Sequence, residues 1–524
     1  PAEVNAIYQF HDDCEKKVYI NWINRNLFIH ENLGPHLPIN PNSDELFDVI
    51  NDGIIFCSII KTLFPYSIDS TVIITKAEMS REEKYKNLQL AYETARSYGC
   101  NVVELDINHI FSGVRQSVLE FLWQIFFVGL VQCISYLENP EILLLKSDDE
   151  PKDGIKRMKP EETLTRYINY MISKYNSSGP KISSFQQNLN DGCMYVYLFD
   201  SVAQHSHIAL KNDIYSINQE PDPKDRIYLL LENLDCMKVQ AFLVENLMDS
   251  GCLDQACYKM HLLTAAVLFH RFPLVSEIEK SQISQINDEI KLEQESHIEK
   301  LCRNFINFLG VNPICTNIHH DCKDGLLIAQ IMDILSNDIF YKDTFIKDFS
   351  KQQIVSERIH NGANCINRLG KFVSVPIANL HPEYIQSGNR ALISDIIYNL
   401  MLYWVYYEKN TEKKFDKKEL LKWVNSFSID CEITSFRDTL INDKRVLAKV
   451  IDKVFPNSID WDYMETLSTS KERALYCISI ARREGCPMFF TPFMLGIGDH
   501  RCLTLAFALL QNKSPQAVKK YPQY

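Results

Sequence analysis

Three short segments of the sequence hold residue types that could do chemistry. The segment "CTNIHHDC" places Cys315, His319, His320 and Cys322 close together, and these are the side chains that bind zinc. Adjacent histidines on a helix point in different directions, however, and no second cluster of such residues lies nearby in the sequence. The spacing therefore argues against a structural zinc site.

The other two segments imitate a calcium loop and a dinucleotide site. In "DEPKDG", Asp149, Asp153 and Gly154 resemble the start of a calcium loop, but Pro151 takes the third ligand position and Pro160 the twelfth, where a bidentate Glu is required. The segment "LGIGDHRC" lacks the third Gly and the preceding strand of a dinucleotide site, and neither a phosphate loop nor an HExxH motif occurs. We therefore predict no enzyme, metal or cofactor, and keep a cytosolic enzyme that uses Cys and His groups as an alternative.

Composition narrows the class of protein further. The chain has 524 residues, 46% of them hydrophobic, with a formal net charge of -12. A general nucleic-acid binder would need an excess of Lys and Arg, so nucleic acid is not an expected partner. No signal peptide is recognised at "PAEVNAIYQF", and the 16 scattered cysteines suit reduced thiols, so we expect a cytoplasmic protein.

One very apolar stretch, "SVLEFLWQIFFVGLVQCI" at residues 117–134, raises the question of a membrane. Glu120, Gln124 and Gln132 would form one narrow polar stripe on a helix here. A spanning helix needs roughly 20 apolar residues, and a carboxylate near its middle costs about 2.5–3.5 kcal/mol. The stretch is therefore predicted to be a core helix, and no membrane is expected.

The same succession of predicted helices recurs four times along the chain. Each repeat opens with an aromatic residue and an Asn, continues through a polar turn into an apolar helix such as "INDGIIFCSIIKTLFP", and then has an amphipathic helix that ends abruptly. A strongly apolar helix closes it. Four similar successions of predicted helices indicate an all-α protein of four small domains.

The anchors of this alignment are mostly aromatic residues on apolar faces. Trp22, Trp123, Trp423 and Tyr398 are accordingly predicted to pack in cores. The opening anchors are Trp22, Tyr167, Phe305 and Trp423, and the closing anchors are Trp123, Ala266, Tyr398 and Ala508.

Glycine positions predict where turns interrupt the helices. The Asp-Gly pair of the first three repeats suits a left-handed turn before the apolar helix, whereas the fourth has Lys444, which predicts a different turn there. Gly99, Gly370 and Gly485 are predicted to be left-handed residues after the amphipathic helix, with Asp235 replacing glycine in the second repeat.

The four repeats resemble calponin-homology domains, and their succession resembles the actin-bundling core of the fimbrin (plastin) family. The resemblance lies in "NWINRNL", "NDGIIFC" and "LEFLWQIFFVGL" of the first repeat, "RNFINFLGVNP" and "KDGLLIAQI" of the third, and "LKWVNSF" and "ISIARREGC" of the fourth. It implies calponin-homology domains at 12–134, 160–273, 294–407 and 415–512, an inter-pair linker at 274–293 and a C-terminal tail at 513–524. Tyr167 and Phe305 depart from it, because the family has Trp there.

The resemblance also implies function: two tandem actin-binding pairs, about 12–273 and 294–512, that bundle filaments without catalysis. The expected partner is filamentous actin, and the expected state is a monomer on the cytoplasmic actin cytoskeleton. An adaptor in which only one pair binds actin is the alternative.

The implied contacts are mainly basic residues, since a local basic set on an acidic protein favours an acidic partner such as actin. The polar stripe of Glu120, Gln124 and Gln132 is also expected to be available to a filament. The first-pair candidates are Lys16, Lys17, Asn21, Arg25, Lys76, Arg81, Lys84, Lys86, Arg115 and Gln124. The second-pair candidates are Lys347, Lys351, Arg358 and Arg390.

Overall fold

The computed structural model describes most of the chain and groups it into two compact units. The described residues are 2–27, 33, 36–147, 149–150, 154–155, 158–185, 189, 192–240, 242–243, 255–274, 294–336, 344–350, 352–373, 380–407, 415–427, 432–438 and 441–513, with side chains of 2–12 and 255–257 excepted. Unit 1 comprises Pro1–Asn51 and Asn108–Gln294, and unit 2 comprises Asp52–Ile107 and Glu295–Tyr524. The first repeat is thus divided between the units.

Unit 1 is built from helices of the first two repeats. Its first-repeat helices are α1 (Ala2–Asn26), α2 (Glu45–Val49), α5 (Ile107–Phe111, which starts at the boundary) and α6 (Arg115–Phe126). Its second-repeat helices are α7 (Pro160–Tyr175), α8 (Cys193–His205), α9 (Ile214–Gln219), α10 (Pro223–Met237) and α11 (Gln255–Arg271). Helix α11 packs on α1 and α7, so the second repeat's closing helix contacts both opening helices.

Unit 2 combines the middle of the first repeat with the third and fourth repeats. The first repeat supplies α3 (Ile54–Leu63) and α4 (Arg81–Ser97). The third repeat supplies α12 (His297–Phe308), α13 (Ile318–Asp321), α14 (Leu326–Ser336), α15 (Ile354–Leu369), α16 (Pro382–Ser387) and α17 (Arg390–Tyr407). The fourth supplies α18 (Lys417–Asn425), α19 (Arg445–Val454), α20 (Trp461–Thr466), α21 (Ser470–Arg483), α22 (Pro492–Gly496) and α23 (His500–Lys513).

The predicted all-α class is confirmed, since the described residues contain helices and no strand. Among these residues, no helix has the combined length and apolarity that a bilayer-spanning segment needs. Trp22 and Trp123 lie in cores as predicted, whereas Trp423 and Tyr398 are half-buried.

The recurring Asn of the opening helix has the same structural role in all four repeats. Its side-chain amide donates to the carbonyl, and its oxygen accepts from the N–H, of one downstream residue, at 2.8–3.0 Å. The Asn side chain thus pairs both backbone polar groups of that residue, as a neighbouring peptide group would, and holds the residue against the opening helix. The pairs are Asn24 with Ile39, Asn169 with Ile182, Asn307 with Cys315, and Asn425 with Ile433.

The Asp-Gly turns form as predicted in the first three repeats. Gly53, Gly192 and Gly325 have φ of 78°, 73° and 76°. At Gly53 a Cβ would lie 2.3 Å from the backbone nitrogen of Leu88, so only glycine fits there. Asp52 accepts from the N–H of Ile54, at 2.9 Å, and so pairs the first backbone amide of the helix that follows.

The prediction of a different turn at Lys444 is wrong. Lys444 has φ of 72° and occupies the same left-handed position. Its side chain is fully buried, and its Nζ donates to the carbonyls of Ile441 and Asn442 at 3.4 and 2.8 Å. These two bonds offset the strain of a left-handed lysine, although burial lowers the pKa of the amine to about 8.

The predicted ends of the amphipathic helices are right in two repeats. Gly99 and Gly485 are left-handed, with φ of 93° and 79°. Gly370 has φ of -56°, so that prediction is wrong. Asp235 lies inside α10, and Lys238, with φ of 55°, takes the left-handed position. The second-repeat helix therefore continues past the position expected from the sequence.

The apolar stretch at 117–134 is a core element. Phe121, Leu122, Ile125 and Phe126 of α6 are fully buried, and α6 continues into a π-helix at Phe127–Gln132. Gln132 is buried as well. The expectation that its side chain is available to a filament is therefore wrong.

Candidate functional site

The ten first-pair candidates divide between the two compact units. Unit 1 holds Lys16, Lys17, Asn21, Arg25, Arg115 and Gln124, and unit 2 holds Lys76, Arg81, Lys84 and Lys86. Their contact with a filament stays a prediction. The local surroundings of each residue show instead which side chains are exposed to solvent and which already serve another role.

Lys16 and Arg115 meet in a buried corner of the first repeat. The Lys16 side chain is 5% exposed, and its Nζ lies 3.3 Å from Asp13 and 3.0 Å from Asp44. Arg115 contacts the same two carboxylates at 3.2 and 3.0 Å, and its guanidinium lies over the Phe47 ring. These two cations therefore join the opening helix, α2 and the closing helix.

The remaining unit 1 candidates differ in exposure. Lys17, Asn21 and Gln124 are half-buried, and Gln124 donates to Glu120. Arg25 is exposed and donates to Asp235 and Gln240 of the second repeat, at 3.1 and 3.0 Å. Exposed ion pairs of this kind contribute roughly 0–1 kcal/mol, so Arg25 can exchange its partners at little cost.

Glu120 belongs to a contact between the first two repeats that the sequence did not suggest. Lys259 of α11 lies 3.3 Å from Glu15 and 3.2 Å from Glu120, with its ammonium 5.1 Å from the centre of the Trp123 ring. Burial raises the pKa of Glu15, and Lys259 opposes that rise. The expected outward stripe is therefore turned toward the second repeat at Glu120.

The unit 2 candidates form a basic segment, residues 76–86, around the start of α4. Lys76 and Arg81 are exposed, and Lys84 and Lys86 are half-buried. Ser80 caps α4 through a reciprocal pair of bonds with Glu83. Hydrogen bonds from Lys76 and Ser80 lower the pKa of Glu83 to about 2. The cap thus fixes the start of α4, the helix that carries Arg81, Lys84 and Lys86.

Of the second-pair candidates, three lie in described residues. Lys347 is exposed, and Arg358 lies over the Phe349 ring at 5.7 Å. Lys351 lies outside the described residues. Arg390 makes two hydrogen bonds of 2.8 and 2.6 Å to Glu299, whose side chain is 4% exposed.

Glu299 lies in the third repeat's counterpart of the Lys16 corner. Beyond Arg390, it contacts His319 at 3.2 Å and accepts from the N–H of Ser296 at 2.7 Å. Burial alone would raise the pKa of this carboxyl, but Arg390 and His319 hold it well below its usual range. Arg390 is thus needed to neutralise a buried charge.

The cysteines and histidines of the "CTNIHHDC" segment lie against groups of their own repeat. Cys315 and Cys322 are buried, Cys315 is held by Asn307, and His319 lies against Glu299. Within the described ranges, no group of three or more His, Cys, Asp or Glu residues is placed to hold a metal ion.

A family model for the calponin homology (CH) domain matches residues 13–129. Human plastin-1 is 28% identical over 523 residues, which cover 96% of this chain and 80% of that protein. Fimbrin-4 of Arabidopsis thaliana is 25% identical, with 96% and 77% of the two chains covered. Plastins and fimbrins are thus homologues of this chain over nearly its full length.

The fold of this chain matches a solved structure over nearly its whole length. The crystal structure of the actin-crosslinking core of Schizosaccharomyces pombe fimbrin superposes with a TM-score of 0.77, at 20% identity, over 95% of this chain and 99% of that one. The predicted series of calponin-homology domains is confirmed as a fold class. The exact domain boundaries stay a prediction.

Proposed function

We propose that this chain binds actin filaments and crosslinks them into bundles, through tandem regions at about 12–273 and 294–512. The observation that carries the proposal is the match to a fimbrin core described as actin-crosslinking, which extends over nearly the whole of both chains. Full-length similarity to plastins and fimbrins supports it independently.

Crosslinking of this kind needs no catalysis. Two binding regions on one chain suffice, because once the first region is bound, the second meets a filament at an effective concentration set by their connection. We therefore propose a non-catalytic protein that acts as a monomer on the cytoplasmic actin cytoskeleton, without nucleic-acid or membrane partners.

Exposure separates the proposed contact residues from structural ones. Arg25, Lys76, Arg81 and Lys347 present exposed side chains and are the favoured contacts. Lys84 and Lys86 adjoin them in the basic segment. Lys16, Arg115 and Arg390 are instead buried or half-buried where they neutralise carboxylates, which favours a stabilising role for these three.

Cosedimentation of the whole chain with actin filaments tests the proposal. High-speed centrifugation measures binding, and low-speed centrifugation pellets only bundles. We expect the protein in both pellets. Binding at high speed with no low-speed pellet would favour the adaptor alternative with one actin-binding pair, and absence from both pellets would refute the proposed function.

A charge-reversal variant tests the basic segment within the same assay. Lys76→Glu, Arg81→Glu and Lys84→Glu together are expected to weaken binding, because three favourable charges become repulsive toward an acidic filament. Lys418→Glu, Lys422→Glu and Lys453→Glu together, at three exposed lysines on α18 and α19, are the control with the same change in net charge. Equal affinity of the two triple variants, with helical content unchanged, would remove the segment from the site.

A further inference from the structure

The basic segment is not supported by the first repeat alone. Residues 52–107 belong to the same compact unit as the third and fourth repeats, and α4 packs along α21 of the fourth repeat. Side chains of the fourth repeat contact the chain at four successive points between residues 67 and 86.

The first point is a buried guanidinium. Arg482 is fully buried, and its Nη1 donates to the carbonyl of Ser67 at 3.1 Å. The same guanidinium donates to the carbonyls of Met488 and Phe490 in the fourth repeat, at 2.7 and 3.1 Å. One side chain therefore joins the backbone of the two repeats, in a place where unpaired carbonyls would be costly.

The second point is Asp69, the residue that caps the turn at Ser70–Val72. Its N–H donates to the buried hydroxyl of Ser479 at 2.9 Å. Its carboxylate accepts from the hydroxyl of Tyr463 at 3.2 Å. Backbone and side chain of Asp69 are thus both held by the fourth repeat.

The third and fourth points lie next to the basic segment itself. Arg483 donates to the carbonyl of Val72 at 3.4 Å, and Glu484 lies 3.2 Å from Lys86. A cleft of about 470 Å³ follows this line, and it is lined by Ile74, Ser80, Glu82, Glu83, Lys86 and Arg483. Lys86 therefore serves as a link to the fourth repeat.

We propose that the fourth repeat positions the basic segment for filament binding, with Ser479, Tyr463 and Arg482 as positioning residues that do not touch the filament. This rests on the proposed function and assigns the fourth repeat a part in the binding of residues 76–86. The physical reason is that a loop held at both backbone and side chain loses less conformational entropy when it binds.

The test uses the full chain with Ser479→Ala and Tyr463→Phe combined. These changes remove the bonds to Asp69 and leave Arg482 in place, since Arg482 also holds two carbonyls inside the fourth repeat. Ser470→Ala is the matched control: it lies on the same helix as Ser479, and its hydroxyl donates to the carbonyls of Asn442 and Gly496 within the fourth repeat.

Two measurements are made on each protein. Hydrogen exchange of peptides covering residues 67–86 is expected to accelerate in the double variant and to stay unchanged in the control. Filament affinity is expected to fall roughly three- to tenfold, as for the loss of one or two hydrogen bonds that hold a binding segment. In a Lys76→Glu, Arg81→Glu, Lys84→Glu background, the same two changes are expected to have little further effect.

The outcomes separate this inference from the proposed function. If the unmodified chain does not pellet with filaments, the proposed function fails. If it binds and the double variant binds equally well or more tightly, positioning by the fourth repeat is refuted. An equal loss of affinity in the Lys76, Arg81, Lys84 background would also refute it, because the effect would then not pass through the basic segment.

Discussion

The first and third repeats solve the same packing problem with opposite charges. In both, a buried residue of the opening helix is linked to the first residue of the closing helix, through shared carboxylates in the first repeat and directly in the third. The first repeat buries Lys16 beside Asp13 and Asp44, and the third buries Glu299 beside Arg390 and His319. The sign of the buried charge is therefore free, whereas its neutralisation is required.

The two corners differ in how their partners meet solvent. Asp13 and Asp44 are 42% and 68% exposed, so water can replace a lost cation. Glu299 is 4% exposed, so water cannot replace Arg390. A basic residue at the same place in two repeats can thus have different importance, and similarity of position alone does not make it a filament contact.

The largest expected effect is that of Arg390→Ala. The variant leaves the Glu299 carboxylate buried with only His319 and the N–H of Ser296, and we expect a loss of about 3 kcal/mol in the free energy of unfolding. Unfolding in urea, monitored by hydrogen exchange of the α12 amides, measures this loss. Glu299→Gln combined with Arg390→Met is the control, which should recover part of the loss; a loss below that of Lys16→Met would contradict the comparison.

The same variant should show a pH dependence of known sign. The folded-state pKa of Glu299 is depressed, so its contribution is complete above the unfolded pKa of about 4.3 and is lost as pH falls toward the folded value. The difference between wild type and Arg390→Ala should therefore be largest near pH 7 and shrink below about pH 4. A difference that grows on acidification would be inconsistent with this assignment.

Lys16→Met should cost less, about 1 kcal/mol or below, because Asp13 and Asp44 remain partly hydrated and keep Arg115. Chemical denaturation of the full chain, followed by exchange in α1, measures the change. Lys17→Met on the same helix is the matched control. A cost equal to that of Arg390→Ala would show that exposure of the partner does not decide the outcome.

The smallest effect is expected in the second repeat, where Tyr258 donates to Glu161 at 2.9 Å from the equivalent positions. Tyr258→Phe removes one hydrogen bond to a half-buried carboxylate that solvent still reaches, so we expect about 0.5 kcal/mol. Thermal unfolding suffices to compare it with Tyr228→Phe, an exposed tyrosine of the same repeat. A loss above that of Lys16→Met would reverse the proposed order.

The paired residues of these corners occupy equivalent positions in the first three repeats. Lys16, Glu161 and Glu299 each precede their opening anchor by six positions, and Arg115, Tyr258 and Arg390 each precede their closing anchor by eight. These matching positions predict that the two residues of each pair lie close together. Helix class, repeat order and the Asp-Gly turns were predictable because they depend on local patterns.

Other features are not indicated by local sequence patterns. Lys444 takes a glycine position only because its amine reaches two nearby carbonyls, and no local preference indicates that. Lys259 between Glu15 and Glu120, and Arg482 on the carbonyl of Ser67, join residues 139 to 415 positions apart. Such partners follow from packing of repeats and not from periodicity.

The paired bonds of the opening-helix Asn have a consequence for how these repeats can evolve. Each Asn recognises only the peptide group of its partner, and the two residues are 15, 13, 8 and 8 positions apart in the four repeats. The intervening loop can therefore gain or lose several residues, and the partner can change from Ile to Cys, while the helix and its core keep their place. An insertion between the Asn and its partner can therefore add surface to the domain without displacing the opening helix.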